Sequence, residues 1–282
     1  FAGAFMSSCT EDEYSMENGS EIEYSYKTTM SPVNRLNPND SIGVLHNIHL
    51  DSIITLLCDN YADANAIHPD TLHKFVENYF LNIYDRDIIK EVFKDTDNTL
   101  NDNQSIDSVL TELKFSEDAK EIVFSLLKTI EGMENKGYSP YYEVICKVEK
   151  DILSNQSFTT TEEQILLSFT SVLRHSLYYW YEPISLAKST PDWASIALAD
   201  ARGAIKGAKA GLRVGSAVGH PAAGTAVGAV AGAALKSAKK AHKTNKIKKT
   251  KGLHPVVFIA ALAVIGIIFK IFSNIWFNNI TI

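Results

Sequence analysis

The chain has 282 residues, of which 45% are hydrophobic and 21% charged, a composition typical of a globular protein with one or two domains. Residues 1–190 carry 31 acidic and 14 basic side chains, whereas residues 191–282 carry 2 acidic and 13 basic ones. This asymmetry predicts two parts with different surroundings. The three cysteines include no Cys-x-x-Cys pair, which excludes the common zinc and thioredoxin-type motifs.

The N-terminal stretch FAGAFMSSC is small and apolar, ends in a cysteine, and is followed directly by acidic residues. It resembles the end of a bacterial lipoprotein signal peptide. The resemblance implies that Cys9 is acylated and that the protein lies in the bacterial cell envelope, at the outer membrane or cell surface. Residues 1–9 are therefore expected to end a signal peptide. Residues 10–40, rich in Ser, Glu, Asn and Pro, are expected to form a disordered tether.

The acidic region 41–185 is predicted to be an all-α bundle of six or seven helices, because apolar residues recur there at helical spacing and no segment alternates with a period of two. The clearest helix begins at TTEEQ, where Thr160 and Glu163 have the spacing of a capping box. Trp180 lies on the apolar stripe of that helix, which favours core packing over a binding surface. The other helices are predicted at 42–56, after Pro69, near 86–94, near 105–114, at 116–133 and from Ser139.

Few residues of this region indicate chemistry. His46 and His49 are three apart on one helix, a spacing that suits two metal ligands, but no motif supplies further ligands. The loop 95–106 departs from a calcium loop at Leu100 and Ile106, where glycine and glutamate are required. No nucleophile or phosphate-binding motif occurs. The sequence therefore predicts no enzyme, metal, cofactor or small-molecule substrate.

Glycine recurs every fourth residue in the segment 200–235, which places the glycines on one helical stripe. Five such glycines cost a helix about 4–5 kcal/mol relative to alanine, unless close helix packing offsets the cost. The pattern resembles the glycine-zipper segments of bacterial envelope lipoproteins and membrane-active peptides, in which such stripes pack helices in lipid. The predicted packing residues are Gly203, Gly207, Gly211, Gly215, Gly219, Gly224, Gly228 and Gly232.

Two arrangements of the zipper remain open from sequence: a hairpin that turns at His220 and Pro221, or one kinked span. Arg202, Lys206, Lys209 and Arg213 give the first half a basic face, which suits an anionic membrane surface.

The zipper is followed by a lysine-rich linker, 236–254, and by an apolar segment, 255–277. The apolar segment has 23 residues, or ~34 Å as a helix, enough to cross a bilayer core of about 30 Å. We expect a transmembrane helix there. Since the linker contains no aromatic residue or arginine, we expect it to bind anionic lipid and not nucleic acid. Its lysines are Lys236, Lys239, Lys240, Lys243, Lys246, Lys248, Lys249 and Lys251.

The predicted function is that of a non-catalytic, membrane-anchored envelope lipoprotein. Its zipper and C-terminal helix are expected to insert into the bilayer or to form a homo-oligomer there. The alternative is a bacteriocin-like or pore-forming effector that perturbs target membranes. The side of the membrane on which the lysines lie depends on the zipper, because a hairpin and a single span place them on opposite sides.

Overall fold

The computed structural model describes residues 31–97, 106–133, 137–181 and 193–247. These residues form nine α-helices and no strand, so the prediction of an all-α fold is confirmed. The helices are α1 (Asp40–Asn60), α2 (Pro69–Leu81), α3 (Arg86–Asp97), α4 (Ile106–Glu112), α5 (Glu117–Gly132), α6 (Ser139–Ser154), α7 (Thr160–Trp180), α8 (Trp193–Ala217) and α9 (Pro221–Lys243).

Local signals in the sequence account for several helix starts. In α2, Pro69 occupies the first turn, where its missing N–H is not needed, and the His68 side chain accepts a hydrogen bond from the Asp70 amide. The Ser116 side chain caps α5 by accepting from the amide of Ala119. These starts agree with the sequence to within a residue or two.

The capping box of α7 lies one residue earlier than predicted. Thr159, not Thr160, is the cap residue, and Glu162, not Glu163, returns the bond by accepting from the Thr159 amide at 2.8 Å. The repeated Thr and Glu residues allow either register. Glu162 also accepts from the Ser116 amide at 2.6 Å, so a contact with the start of α5 accompanies the observed register.

Helix α7 is buried along most of its length. Every residue from Ile165 to Leu177 is buried, although the sequence predicted a single apolar face. The helix packs against α1, α5 and α6, and also against α8 and α9. Its polar residues are therefore buried as well, and they require partners inside the protein.

The structure places the zipper region in the same compact unit as the acidic helices. Helix α8 packs against α3, α4, α5 and α7, while α9 packs against α1, α2, α3 and α7. At the start of α8, the Trp193 ring meets the rings of Tyr141 and Tyr181 edge-on, at centroid distances of 5.1 and 5.2 Å. Residues 41–185 and 200–235, predicted as separate domains, thus share one core in the described part of the chain.

Other boundaries also differ from those expected. The last residues of the predicted tether are ordered: Asn34 and Asn37 are buried, and α1 begins at Asp40. Residues 236–243 of the predicted linker are the last turns of α9. Cys9 and the segment 255–277 lie outside the described residues.

Among the described helices, α1 alone has the length and hydropathy of a membrane span. Half of the apolar stretch is buried inside the protein. The buried core helix of a soluble protein meets the same two criteria, so length and hydropathy do not separate these alternatives for α1.

Candidate functional site

The zipper glycines meet across an antiparallel pair of helices, which we call the glycine hairpin (α8 and α9). Gly203 faces Gly232, Gly207 faces Gly228, and Gly211 faces Gly224. Gly215 lies against the backbone of His220 and Gly224 near the turn. Of the two arrangements left open by the sequence, the structure has the hairpin.

Glycine is required at these positions because the two backbones are in direct contact. A Cβ atom added to Gly207 would overlap the carbonyl oxygen of Gly228, and one added to Gly228 would overlap that of Gly207. Such close approach gains dispersion energy and Cα–H···O contacts, which offset the low helix propensity of glycine. Gly219 has a different role. It has φ of +80° in the turn, with nothing within 4 Å of an added Cβ.

Two of the four residues of the predicted basic face of α8 meet acidic helices of the same chain, while Arg202 and Lys206 are partly buried. Lys209 pairs with Glu112 of α4, and Arg213 pairs with Glu91 and Asp95 of α3. The Arg213 side chain remains 52% exposed, so its ion pairs contribute little to stability. They nevertheless orient this face toward α3 and α4, which leaves it less available to anionic lipid.

The lysines of α9 differ in exposure. Lys236 is partly buried, and its Cγ lies close to the backbone of Gly203, so its aliphatic stem covers the glycine contact. Lys239 and Lys240 are partly buried too, as is Lys246 just after the helix, whereas Lys243 is exposed. Cations in the last turn interact favourably with the C-terminal end of the helix dipole. Lys248, Lys249 and Lys251 lie outside the described residues.

A buried polar group that the sequence did not reveal connects the hairpin to two other helices. We call it the Asp200 cluster (Asp200, His46, Ser176, Trp180 and Ser237). Asp200 Oδ2 accepts from Ser176 Oγ at 2.5 Å and from Ser237 Oγ at 2.8 Å. Trp180 Nε1 donates to Ser237 Oγ at 3.3 Å. His46 Nε2 lies 3.6 Å from Asp200 Oδ2, and both side chains are fully buried.

Burial sets the protonation of this cluster. It raises the pKa of Asp200 to about 7 and lowers the pKa of His46 to about 4. Both shifts favour the neutral forms, since a charge without water is costly. Between those two values the pair therefore holds one proton, on Asp200. The side chains of the cluster connect α1, α7, α8 and α9. The His46 and Asp200 side chains, which meet at its centre, are not exposed to solvent.

A second buried group holds the N-terminal end of the helical unit. We call it the Glu149 network (Glu149, Arg174, Asp40, Asn34 and Asn37). Glu149 accepts from Asn34 Nδ2 and Asn37 Nδ2, both at 2.6 Å, and from Arg174 Nη2 at 3.1 Å. Arg174 Nη2 also donates to Asp40 Oδ1 at 2.6 Å. The network thus joins the end of the tether to α1, α6 and α7.

The two histidines considered as metal ligands have other contacts. His46 belongs to the Asp200 cluster, and the ring nitrogens of His49 lie 2.8 and 2.7 Å from the hydroxyls of Tyr79 and Tyr84. Within the described ranges no group of three or more His, Cys, Asp or Glu side chains is placed to hold a metal ion.

A shallow groove between α5 and α6, of about 380 Å³, has an apolar floor and an acidic rim. Asp118, Glu121 and Asp151 form the rim, while Ile122 and Val148 contribute to the floor. None of the buried polar groups described above lines this groove.

Comparison with protein-family models, with curated proteins and with solved structures found no match to this chain.

Proposed function

We propose that this protein is a non-catalytic lipoprotein of a bacterial cell envelope, anchored at Cys9 and through residues 255–277. The helices between these two ends then form a compact head. The observation that supports the proposal is the closure of the glycine hairpin inside the head. Because α8 and α9 already cover each other's glycine faces, lipid contact is left to the two ends of the chain.

The zipper is accordingly proposed as an internal packing surface. To join copies of the chain in a membrane, α8 and α9 would first have to separate, which would break their backbone contacts. Separation would also require at least one of the two helices to leave its acidic neighbours, which are α7 for α8 and α1 for α9. Helix α8 carries five charged side chains, Asp200, Arg202, Lys206, Lys209 and Arg213, which disfavour its insertion into a bilayer core.

The end of α9 is proposed to approach the membrane surface. Lys243 is exposed, and Lys246 is followed by three more lysines before the apolar segment 255–277. Lysines next to a membrane span attract anionic headgroups by about 1 kcal/mol each. The proposed site of lipid contact is therefore the C-terminal end of the hairpin and not its basic face toward α3 and α4.

The decisive experiment is metabolic labelling with a palmitate analogue, in cells that express the full-length protein with its complete signal peptide. We expect label on the wild type and none on Cys9→Ala, while residues 255–277 should keep this variant in the membrane fraction. Cys146→Ala is the matched control, because it removes a partly buried thiol of α6 and should leave the labelling intact. Equal labelling of Cys9→Ala would reject the proposal.

The effector alternative gives a different result with purified protein. If the protein perturbed membranes, micromolar amounts would release dye from anionic liposomes. We expect no release, because the glycine faces of α8 and α9 cover each other and both helices pack against the acidic helices.

A further inference from the structure

Three buried imidazoles lie at the contacts that hold α1 in the protein. His46 and His49 are on α1 itself, one helical turn apart, and His175 of α7 faces the first turn of α1. All three histidines are buried, because the exposed fraction of each is at most 3%, whether it is taken for the residue or for the side chain. An imidazole is the side chain whose charge changes most readily between pH 5 and 8, and a charge on a buried ring without a partner destabilises the contact that contains it.

In the described part of the chain, the hydrogen-bond and ring partners of His49 are neutral side chains. Its ring nitrogens meet the hydroxyls of Tyr79 on α2 and of Tyr84 just after α2, and the Phe80 ring lies 5.3 Å away. A neutral imidazole satisfies both hydroxyls, since one nitrogen donates and the other accepts. None of these partners is a carboxylate that could balance the charge of a protonated ring. Burial accordingly lowers the pKa of His49 to about 4.

His175 lies among charged groups from three helices. Its Nε2 donates to Asp40 Oδ1 of α1 at 3.0 Å, and the same oxygen accepts from Arg174 of α7, which also pairs with Glu149 of α6. Burial lowers the pKa of His175, and the nearby Arg174 charge acts in the same direction, while the bond to Asp40 opposes them. The net shift is downward, so His175 also favours the neutral form in the folded protein.

His46 behaves differently because Asp200 lies beside it. From α8, Asp200 faces His46, while α7 and α9 contribute the hydroxyls of Ser176 and Ser237, and His49 and His175 repel its charge. In the folded pair the shared proton is on Asp200, whereas in an opened pair it is on His46. The number of bound protons is equal in both states over pH 4–6.5, so the pair adds no net pH dependence there.

We propose that the contacts of α1 form a proton-operated latch: acidification charges His49 and His175, and α1 detaches from α2 and α7 at a higher pH than the one at which α5 and α6 open. Helix α1 packs on α9 as well as on α7. Its detachment therefore uncovers one side of the glycine hairpin.

The sign and size of the effect follow from the proton count. A histidine whose pKa is lowered by folding binds its proton mainly in the open state. Opening therefore becomes easier as the pH falls below 6.5, the ordinary pKa of histidine. Each such proton multiplies the opening constant by up to about 10 per pH unit. With one proton from His49 and up to one from His175, we expect an increase of about 10- to 100-fold per pH unit.

Native-state hydrogen exchange on the full chain tests the latch between pH 6.5 and 4, with protection factors of the α1 amides corrected for intrinsic rates. We expect α1 protection to fall as stated, while α5 protection changes less. His49→Gln replaces the imidazole with an amide that donates and accepts hydrogen bonds but does not titrate, and it should reduce the dependence by about 10-fold per pH unit. Asp200→Asn removes the opposing group and should increase it by about the same factor. His220→Gln, at an exposed turn position, is the control and should change nothing.

The proposal is overturned if α1 protection is independent of pH over this range. It is also overturned if His49→Gln and His220→Gln respond alike. Should His49→Gln fail to fold, the comparison of Asp200→Asn with the wild type decides instead, because an unchanged pH dependence in that variant contradicts the proton count.

Discussion

Glu149 illustrates how single buried residues determine stability in this protein. Its carboxylate is fully buried and accepts hydrogen bonds from two asparagines and one arginine. Breaking a buried ion pair by removing one partner is far more damaging than its net contribution suggests, because the other charge is left buried and uncompensated.

We predict that Glu149→Leu destabilises the protein by about 3–5 kcal/mol, measured by urea unfolding. The loss arises because Arg174, which is fully buried, keeps only Asp40 as a charged partner. Glu143→Leu changes an exposed glutamate of the same helix and should shift the stability by no more than about 0.5 kcal/mol. Equal effects of the two substitutions would show that the Glu149 network does not stabilise the fold.

At the scale of helices, the glycine stripe explains how α8 and α9 pack. A bulkier residue at any of the facing positions would push the helices apart along their whole contact, because the atoms in the way are backbone and cannot change rotamer. The same stripe would suit a membrane or a protein core, and here it lies in the core. Alanine residues such as Ala204, Ala208 and Ala231 flank the glycines and are buried with them.

Gly207→Ala should destabilise the protein by about 1–3 kcal/mol or more, because the added methyl group has no space beside Gly228. This loss is expected despite the higher helix propensity of alanine. Gly132→Ala, at the end of α5, is the matched control: nothing lies within 4 Å of an added Cβ there, so no loss is expected. Thermal denaturation followed by circular dichroism compares the two. A Gly207→Ala protein as stable as the wild type would contradict the close approach.

At the scale of the whole molecule, the hairpin is at the centre of the helical unit. Between them, α8 and α9 contact α1, α2, α3, α4, α5 and α7. Six of the seven acidic helices thus pack against a segment that follows them in sequence. Their stability should depend on the hairpin, because a bundle that loses its central helices loses most of its buried area.

This dependence predicts the outcome of replacing both Gly211 and Gly215 with leucine. The variant should lose near-UV circular dichroism and hydrogen-exchange protection in α5–α7 as well as in the hairpin, because the two parts share one core. If α1–α7 stayed folded while only α8 and α9 lost protection, the zipper would be a separate module, as the sequence alone suggested. Lys243→Leu, at an exposed position of α9, serves as the control for expression and solubility.

Helix type and approximate helix bounds were predictable because they depend on local signals: apolar residues at helical spacing, Pro69 in a first turn, and Ser116 as a cap. The four-residue glycine register likewise determined that two helix backbones would touch. What the sequence by itself could not determine was the partner in that contact, since close packing follows the same rule in lipid and in a protein interior. Only the tertiary structure decided that α8 folds back on α9 inside the acidic helices. It also decided that residues as distant in sequence as Asp200 and His46, or Glu149 and Asn34, meet in the core, because polar contacts between remote segments leave no periodic signal in the chain.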